Sequence, residues 1–129
     1  MAKVSSAILQ DALTNVAKLI PNAAGNYQYM GMGAGENDTA AAATQHDLLG
    51  SDTHYNDAVG IYEADYKTVW QSTFLYADFT GHIIKELVIC QSSILHANLC
   101  LLRMTIDAVT LNEGEQVTFI IKNAVQQGT

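Results

Sequence analysis

Residues whose side chains could do chemistry are concentrated in one polar stretch of this sequence. His46 and Asp47 are adjacent, and Asp52 and His54 follow within nine residues. Imidazoles and carboxylates are the groups that hold divalent metals, but this spacing matches no established metal site. We therefore interpret these four side chains as polar loop residues in solvent, and we expect no metal and no cofactor.

Three glycines form a second pattern with a chemical interpretation. Gly31, Gly33 and Gly35 follow a short aromatic segment, as the glycines of a phosphate-binding loop follow a strand. The position where that fingerprint needs another glycine is Glu36, whose negative charge repels phosphate, and no Gly-Lys-Ser/Thr motif follows. The pattern instead predicts a strand with close backbone approach and a tight exit.

The two cysteines lack the neighbours of a catalytic thiol. Cys90 and Cys100 have no histidine or basic residue at motif spacing, and the chain has no Gly-x-Ser-x-Gly elbow, so we predict no catalytic residue. If the segments that flank Ile94 and Leu95 form a hairpin, the cysteines lie opposite each other and can form a disulfide. Two reduced, packed thiols are the simpler interpretation.

One acidic residue lies inside a strongly apolar segment. Glu86 follows Lys85 in a β-type run, and Arg103 lies in another such run. A carboxylate buried alone there would be a candidate for acid–base chemistry. A salt bridge between Glu86 and Arg103 is the more ordinary expectation, and it would be a polar contact inside the fold.

Hydrophobic periodicity predicts one helix followed by a β-rich part. Apolar residues at steps of three and four indicate an amphipathic helix over residues 5–20, which Pro21 ends. Residues 36–57 are polar and predict a long loop or arm. Alternation and turn signals over residues 66–125 favour antiparallel strands. The fold class expected is one mainly β domain over residues 1–129, an antiparallel sandwich or barrel-like structure with one N-terminal helix.

Composition excludes several classes of function. Of the 129 residues, 49% are hydrophobic and 15% are charged, which suits a packed core. The formal charge of −7 leaves no basic stripe for nucleic acid. No run of about eighteen apolar residues and no apolar leader segment occurs, so we expect a soluble chain without a membrane partner.

Tyrosines near predicted loops are candidates for an oligomer interface, where aromatic residues are enriched. They are Tyr27, Tyr55, Tyr62 and Tyr66.

The order of motifs along nearly the whole chain carries a family resemblance. The motifs are Tyr29-Met30-Gly31-Met32-Gly33, Leu48-Leu49-Gly50, the aromatic segment from Trp70 to Tyr76, Gly81-His82-Ile83-Ile84-Lys85-Glu86, Leu102-Arg103-Met104, and the segment from Leu111 to Thr118. In this order they resemble the small virion structural proteins of tailed bacteriophages, which are related to tail-collar and tail-fibre domains and to capsid decoration proteins.

The resemblance implies a non-enzymatic protein of the virion, assembled in the host cytoplasm. A compact single domain favours a capsid decoration (cement, or minor capsid) protein that binds the major capsid protein, whereas a tail, collar, baseplate or fibre-attachment protein is the alternative. Family analogy and oligomer symmetry favour a homotrimer. From a different functional class, a small carbohydrate-binding or metal-dependent enzyme domain is the third hypothesis.

Overall fold

The structure is a computed structural model that describes residues 27–35, 40–42, 45, 47–50, 52–64, 66–94 and 100–124, together with Val16 and Lys18. The predicted helix over residues 5–20 lies outside this part except for those two positions, so it stays a prediction. No helix of the described part is long and apolar enough to cross a membrane.

The described residues form a mainly β structure, which confirms that part of the expected fold class. The strands are β1 (Tyr29–Gly33), β2 (Thr53–Asp57), β3 (Ile61–Glu63), β4 (Lys67–Leu75), β5 (Ile83–Cys90), β6 (Cys100–Thr110) and β7 (Gln116–Ala124). They make two sheets, one of four strands in the order β2-β1-β5-β6 and one of three in the order β3-β4-β7. All pairings are antiparallel.

Strand β4 shows how sequence alternation selects the buried face. Its buried side chains are Thr68, Trp70, Ser72 and Phe74, while the intervening residues face outward or are half-buried. Successive side chains of a strand point to opposite faces, so the large aromatics enter the core together. A short 3-10 helix, Tyr76–Asp78, follows β4 directly.

One hydrophobic core receives side chains from both sheets. Met30 and Ile89 come from the four-stranded sheet, and Trp70, Phe74 and Ile121 come from the three-stranded sheet. The Trp70 indole nitrogen lies in this core and donates to the Tyr27 carbonyl at 2.9 Å. A buried indole N–H therefore has its partner on the chain just before β1.

Strand β5 is buried on both faces. Leu87 and Ile89 point into the core, whereas Glu86, Val88 and Cys90 are buried on the opposite face of the sheet. We call that opposite face the outer face of the four-stranded sheet. Residues 47–50 cover it, because Leu48 packs against Val88 and Cys90 there. A strand covered on both sides reads as a continuous apolar run, and β5 does so except at Lys85 and Glu86.

Strand β2 differs from the sequence expectations. Thr53–Asp57 falls in the predicted polar loop but forms β2, which pairs with β1. Its side chains are polar and only half-buried, so no hydrophobic alternation marked it as a strand. The turn around Gly114 carries the chain from one sheet to the other, since β6 and β7 belong to different sheets.

Candidate functional site

A buried carboxylate is at the centre of the outer face of the four-stranded sheet. Glu86 has no exposed surface. Its Oε1 accepts hydrogen bonds from the backbone N–H groups of Leu49 at 3.0 Å and Gly50 at 2.8 Å. Leu49 and Gly50 lie 37 and 36 positions before Glu86 in the chain, so this carboxylate attaches a distant loop to the middle of the sheet.

Arg103 satisfies the other oxygen of the same carboxylate. Its Nε and Nη2 atoms donate to Glu86 Oε2 at 2.9 and 2.7 Å, and its side chain is 5% exposed. The Arg103 Nη1 atom donates to Gln45 Oε1 at 2.9 Å. The structure thus brings Glu86 and Arg103 together as a buried ion pair in which two guanidinium nitrogens donate to one carboxylate oxygen. We call Glu86, Arg103 and the backbone of Leu49 and Gly50 the carboxylate clasp.

The two strand glycines explain why the clasp fits. Gly31 and Gly33 lie two residues apart on β1 and so share the outer face. A Cβ on Gly33 would lie 2.5 Å from Glu86 Oε1, and one on Gly31 would lie 2.6 Å from the ring of Tyr55. The close backbone approach expected of these glycines is therefore to protein side chains.

A second polar group lies beside the clasp. Asp47 is 4% exposed, and its Oδ1 accepts hydrogen bonds from Tyr55 Oη at 2.6 Å and from the Leu48 N–H at 2.8 Å. Burial, followed by the hydrogen bond to Asp47, raises the pKa of Tyr55 above its ordinary value. The phenol therefore stays protonated and acts as a donor.

The two cysteines lie on neighbouring strands beside residues 47–50. Cys90 and Cys100 are directly opposite each other on β5 and β6, and the structure joins them in a disulfide. The sequence left open both a disulfide across a hairpin and two reduced thiols. The structure contains the disulfide. Cys90 packs with Leu48 and Val88, and Cys100 contacts this small apolar cluster.

The other polar residues of the predicted loop lie apart from one another. Asp52 accepts hydrogen bonds from the Thr80 and Gly81 N–H groups at 3.3 and 2.6 Å, and so holds the turn before β5. His54 Nε2 lies 2.9 Å from Asn56 Oδ1 and 3.8 Å from a carboxylate oxygen of Asp78. His46 lies outside the described residues. The structure therefore does not bring Asp47, Asp52 and His54 together as a ligand set.

The tyrosines proposed for an interface have different surroundings. The Tyr55 hydroxyl donates a hydrogen bond to the buried Asp47, and Tyr27 packs against the core. Tyr62 and Tyr66 are half-buried, and Tyr62 lies under the ammonium group of Lys18 at 5.2 Å from the ring centre. Tyr62 also borders the exposed face described next.

An apolar surface lies on the outside of the three-stranded sheet. Val59, Ile61 and Ile120 are 61%, 68% and 58% exposed. Ile61 pairs with Val69 across β3 and β4, and a cavity of about 590 Å³ is lined by both, with Val59, Tyr62, Glu63 and Gln71. An exposed ion pair between Lys122 and Glu63 at 3.1 Å borders the surface. We call Val59, Ile61, Val69 and Ile120 the apolar face.

The sequence predicted the pair of Glu86 and Arg103. The interpretation of Asp47 as a loop residue in solvent is wrong, because its side chain is buried, and Gln45 and the backbone of residues 49–50 were not predicted. The signal available was the pair Leu48-Leu49, two large apolar residues inside a polar stretch, which indicates a loop anchored in the interior. Chemically, the clasp directs two guanidinium nitrogens and two backbone N–H groups at one carboxylate, which has no exposed surface. The arrangement can hold a loop against a sheet.

Comparison of the chain with protein-family models, curated proteins and solved structures found no match.

Proposed function

We propose that this protein is a non-enzymatic structural protein of a tailed-bacteriophage virion, and that it decorates the capsid by bridging neighbouring subunits of the major capsid lattice. The order of motifs along the chain supports the virion, as given above. The observation in the molecule that carries an assembly role is the apolar face, where Ile61 and Ile120 of the three-stranded sheet and Val59 just before β3 are largely exposed.

The apolar face suits a protein partner. Isolated exposed aliphatic residues are ordinary, but Ile61 and Val69 are paired neighbours, and the cavity they line joins them to Val59. Burying one such side chain fully stabilises an interface by about 1.5–3 kcal/mol. Lys122 and Glu63 supply both signs of charge at the border, so a second copy of this chain can meet the face without like-charge repulsion. A homotrimer is the assembly proposed.

The finer fold proposed is a sandwich in which the two sheets pack face to face, with the N-terminal helix against them. The shared core of Met30, Trp70 and Phe74 supports this packing. The carboxylate clasp then keeps Gln45 and residues 47–50 fixed on the outer face of the four-stranded sheet. A domain held in this way acts as a rigid spacer between copies.

Copy number in a purified particle tests the location. Quantitative mass spectrometry against the major capsid protein, with the chain located in an image reconstruction of the particle, should give hundreds of copies on the capsid surface. A count of six, twelve or eighteen would instead support the second candidate, a tail, collar, baseplate or fibre-attachment protein. Absence from the particle would refute both.

The apolar face is tested in solution with a matched pair of substitutions. Ile120→Lys places a charge on the face, and Ile94→Lys does the same at a residue that is 69% exposed elsewhere. Sedimentation velocity of the full chain should show an oligomer that Ile120→Lys dissociates and Ile94→Lys leaves intact. Equal behaviour of the two variants would show that the face is not the interface.

A further inference from the structure

Three side chains that can bind a metal lie close together on the outer face of the four-stranded sheet. Asp47, Cys90 and Cys100 each offer one ligand atom, and these three atoms lie within 4.8 Å of one another. Asp47 and Cys90 are buried, and Cys100 is half-buried. We propose that, once the disulfide is reduced, these residues bind one divalent metal ion of the zinc type. The proposal does not rest on the virion function.

The distances suit a tetrahedral ion. Zinc binds sulfur at about 2.3 Å and carboxylate oxygen at about 2.0–2.2 Å, so tetrahedral ligand atoms are about 3.6–3.8 Å apart. Since the ligand atoms lie within 4.8 Å of one another, the carboxylate oxygen of Asp47 has to approach the sulfurs by at most about 1 Å. Breaking the S–S bond lets the two sulfur atoms separate to the same spacing by rotation of their side chains.

The surroundings favour a cation in the reduced state. Leu48 and Val88 make an apolar wall around Cys90, and Asp47 is 4% exposed beside it. Two thiolates and one carboxylate in such surroundings are costly without a compensating positive charge. A divalent ion supplies that charge, and two thiolates with one carboxylate suit zinc among the common divalent ions.

Asp47 is already oriented, and a cavity borders Cys100. The Leu48 N–H and the Tyr55 hydroxyl hold Asp47 Oδ1, as hydrogen bonds hold the carboxylate ligands of metal sites. A cavity of about 380 Å³ is lined by Cys100, Gln45 and Arg103, among others. Through it a reductant and the metal ion can enter, and a water molecule can complete the fourth coordination position.

The chemistry balances with a dithiol as the reductant. The dithiol gives two electrons and two protons to the Cys90–Cys100 bond and becomes a cyclic disulfide, while the protein gains two thiols. The metal ion then replaces the two thiol protons, which pass to solvent, and binds both sulfurs and the Asp47 carboxylate. Disulfide and metal are therefore alternative links between β5 and β6.

Cobalt(II) provides the test because its spectrum reports the ligands. The full chain is reduced with dithiothreitol, separated from it without oxygen, and titrated with Co²⁺. We expect one Co²⁺ per chain, with intense tetrahedral visible bands and a thiolate-to-cobalt band in the near ultraviolet, and we expect Zn²⁺ to displace it. The oxidised chain should give no such bands. Weak octahedral bands, or equal binding by the oxidised chain, would overturn the proposal.

Substitutions separate the ligand from its neighbours. Asp47→Asn should weaken Co²⁺ binding by more than about 100-fold, and Tyr55→Phe, which removes only an orienting partner, should weaken it by about 10- to 100-fold. Asp52→Asn is the matched control, since Asp52 also accepts backbone hydrogen bonds but lies outside the site, and it should leave the affinity unchanged. A folded Asp47→Asn chain that binds Co²⁺ as tightly as the unchanged chain would contradict the three-ligand site.

Discussion

Removing Arg103 from the carboxylate clasp should destabilise the fold strongly. Arg103→Met keeps much of the aliphatic stem but deletes both hydrogen bonds to Glu86 Oε2. Glu86, which has no exposed surface, then keeps, among the described residues, the two backbone donors of Leu49 and Gly50. Because a buried charge loses its counter-ion, the free energy of unfolding should fall by about 3–5 kcal/mol.

An exposed ion pair of the same kind provides the control. Lys122 and Glu63 are 52% and 44% exposed in their side chains, so solvent screens their interaction. Lys122→Met should cost less than about 1 kcal/mol. The comparison of Arg103→Met with Lys122→Met separates the effect of burial from the effect of losing a cation.

A double variant tests the reason for the loss. In Glu86→Gln/Arg103→Met the residue at position 86 is neutral, and its amide oxygen can still accept the backbone N–H groups of Leu49 and Gly50. The unpaired charge is gone, so the double variant should be more stable than Arg103→Met alone by about 1 kcal/mol or more.

Urea unfolding of the oxidised chain measures these differences. Trp70 is the sole tryptophan and is fully buried, so its fluorescence reports the loss of the core, and circular dichroism reports the loss of the sheets. The reasoning is refuted if Arg103→Met costs no more than Lys122→Met, or if the double variant is no more stable than Arg103→Met.

Three further predictions concern the surroundings of the clasp. The pKa of Tyr55 is raised above its unfolded value of 10.0, so its contribution to stability is complete below that pH and is lost as the pH rises beyond it. Urea unfolding from pH 9 to 11 should therefore show a smaller decline in the free energy of unfolding for Tyr55→Phe than for the unchanged chain. Equal declines would exclude this cause. Replacing both Cys90 and Cys100 by alanine opens a short closed loop and should cost about 3 kcal/mol, measured with a chelator present; a cost near zero would show that the paired strands do not need the link. Gly50→Ala places a Cβ 2.9 Å from a backbone nitrogen and should cost about 1–3 kcal/mol by thermal unfolding, whereas an unchanged melting temperature would mean that the loop can shift.

Local patterns predicted the strands that have one apolar face. In β4, Trp70 and Phe74 alternate with outward residues, and this period of two is visible in the sequence. The mainly β, antiparallel character of the described residues followed from such segments. Strand β2 carries no hydrophobic alternation, because its residues are mainly polar, and its Tyr55 instead packs over Gly31, which has no side chain. Packing over a glycine of the neighbouring strand leaves no hydrophobic pattern in the sequence of the strand itself.

The candidate site was predictable only in its most distinctive pair. Glu86 and Arg103 each lie inside an apolar segment, and buried charges need partners, so the sequence predicted an ion pair between them. The remaining donors to Glu86 are backbone N–H groups, which every non-proline residue possesses, so the sequence does not mark Leu49 or Gly50 as partners. The burial of Asp47 likewise depends on how residues 47–50 lie on a sheet formed by distant segments.

The strand order has a consequence for how the chain folds during translation. Strand β1 pairs with β5, where Tyr29 lies opposite Cys90, so the centre of the four-stranded sheet cannot form until β5 has left the ribosome. At 5–20 residues per second this delay is on the order of several seconds. During that time β1 exposes Met30 and Met32 on a nascent strand whose core partners have not yet been synthesised. We expect this early segment to be the part of the protein that most needs a chaperone.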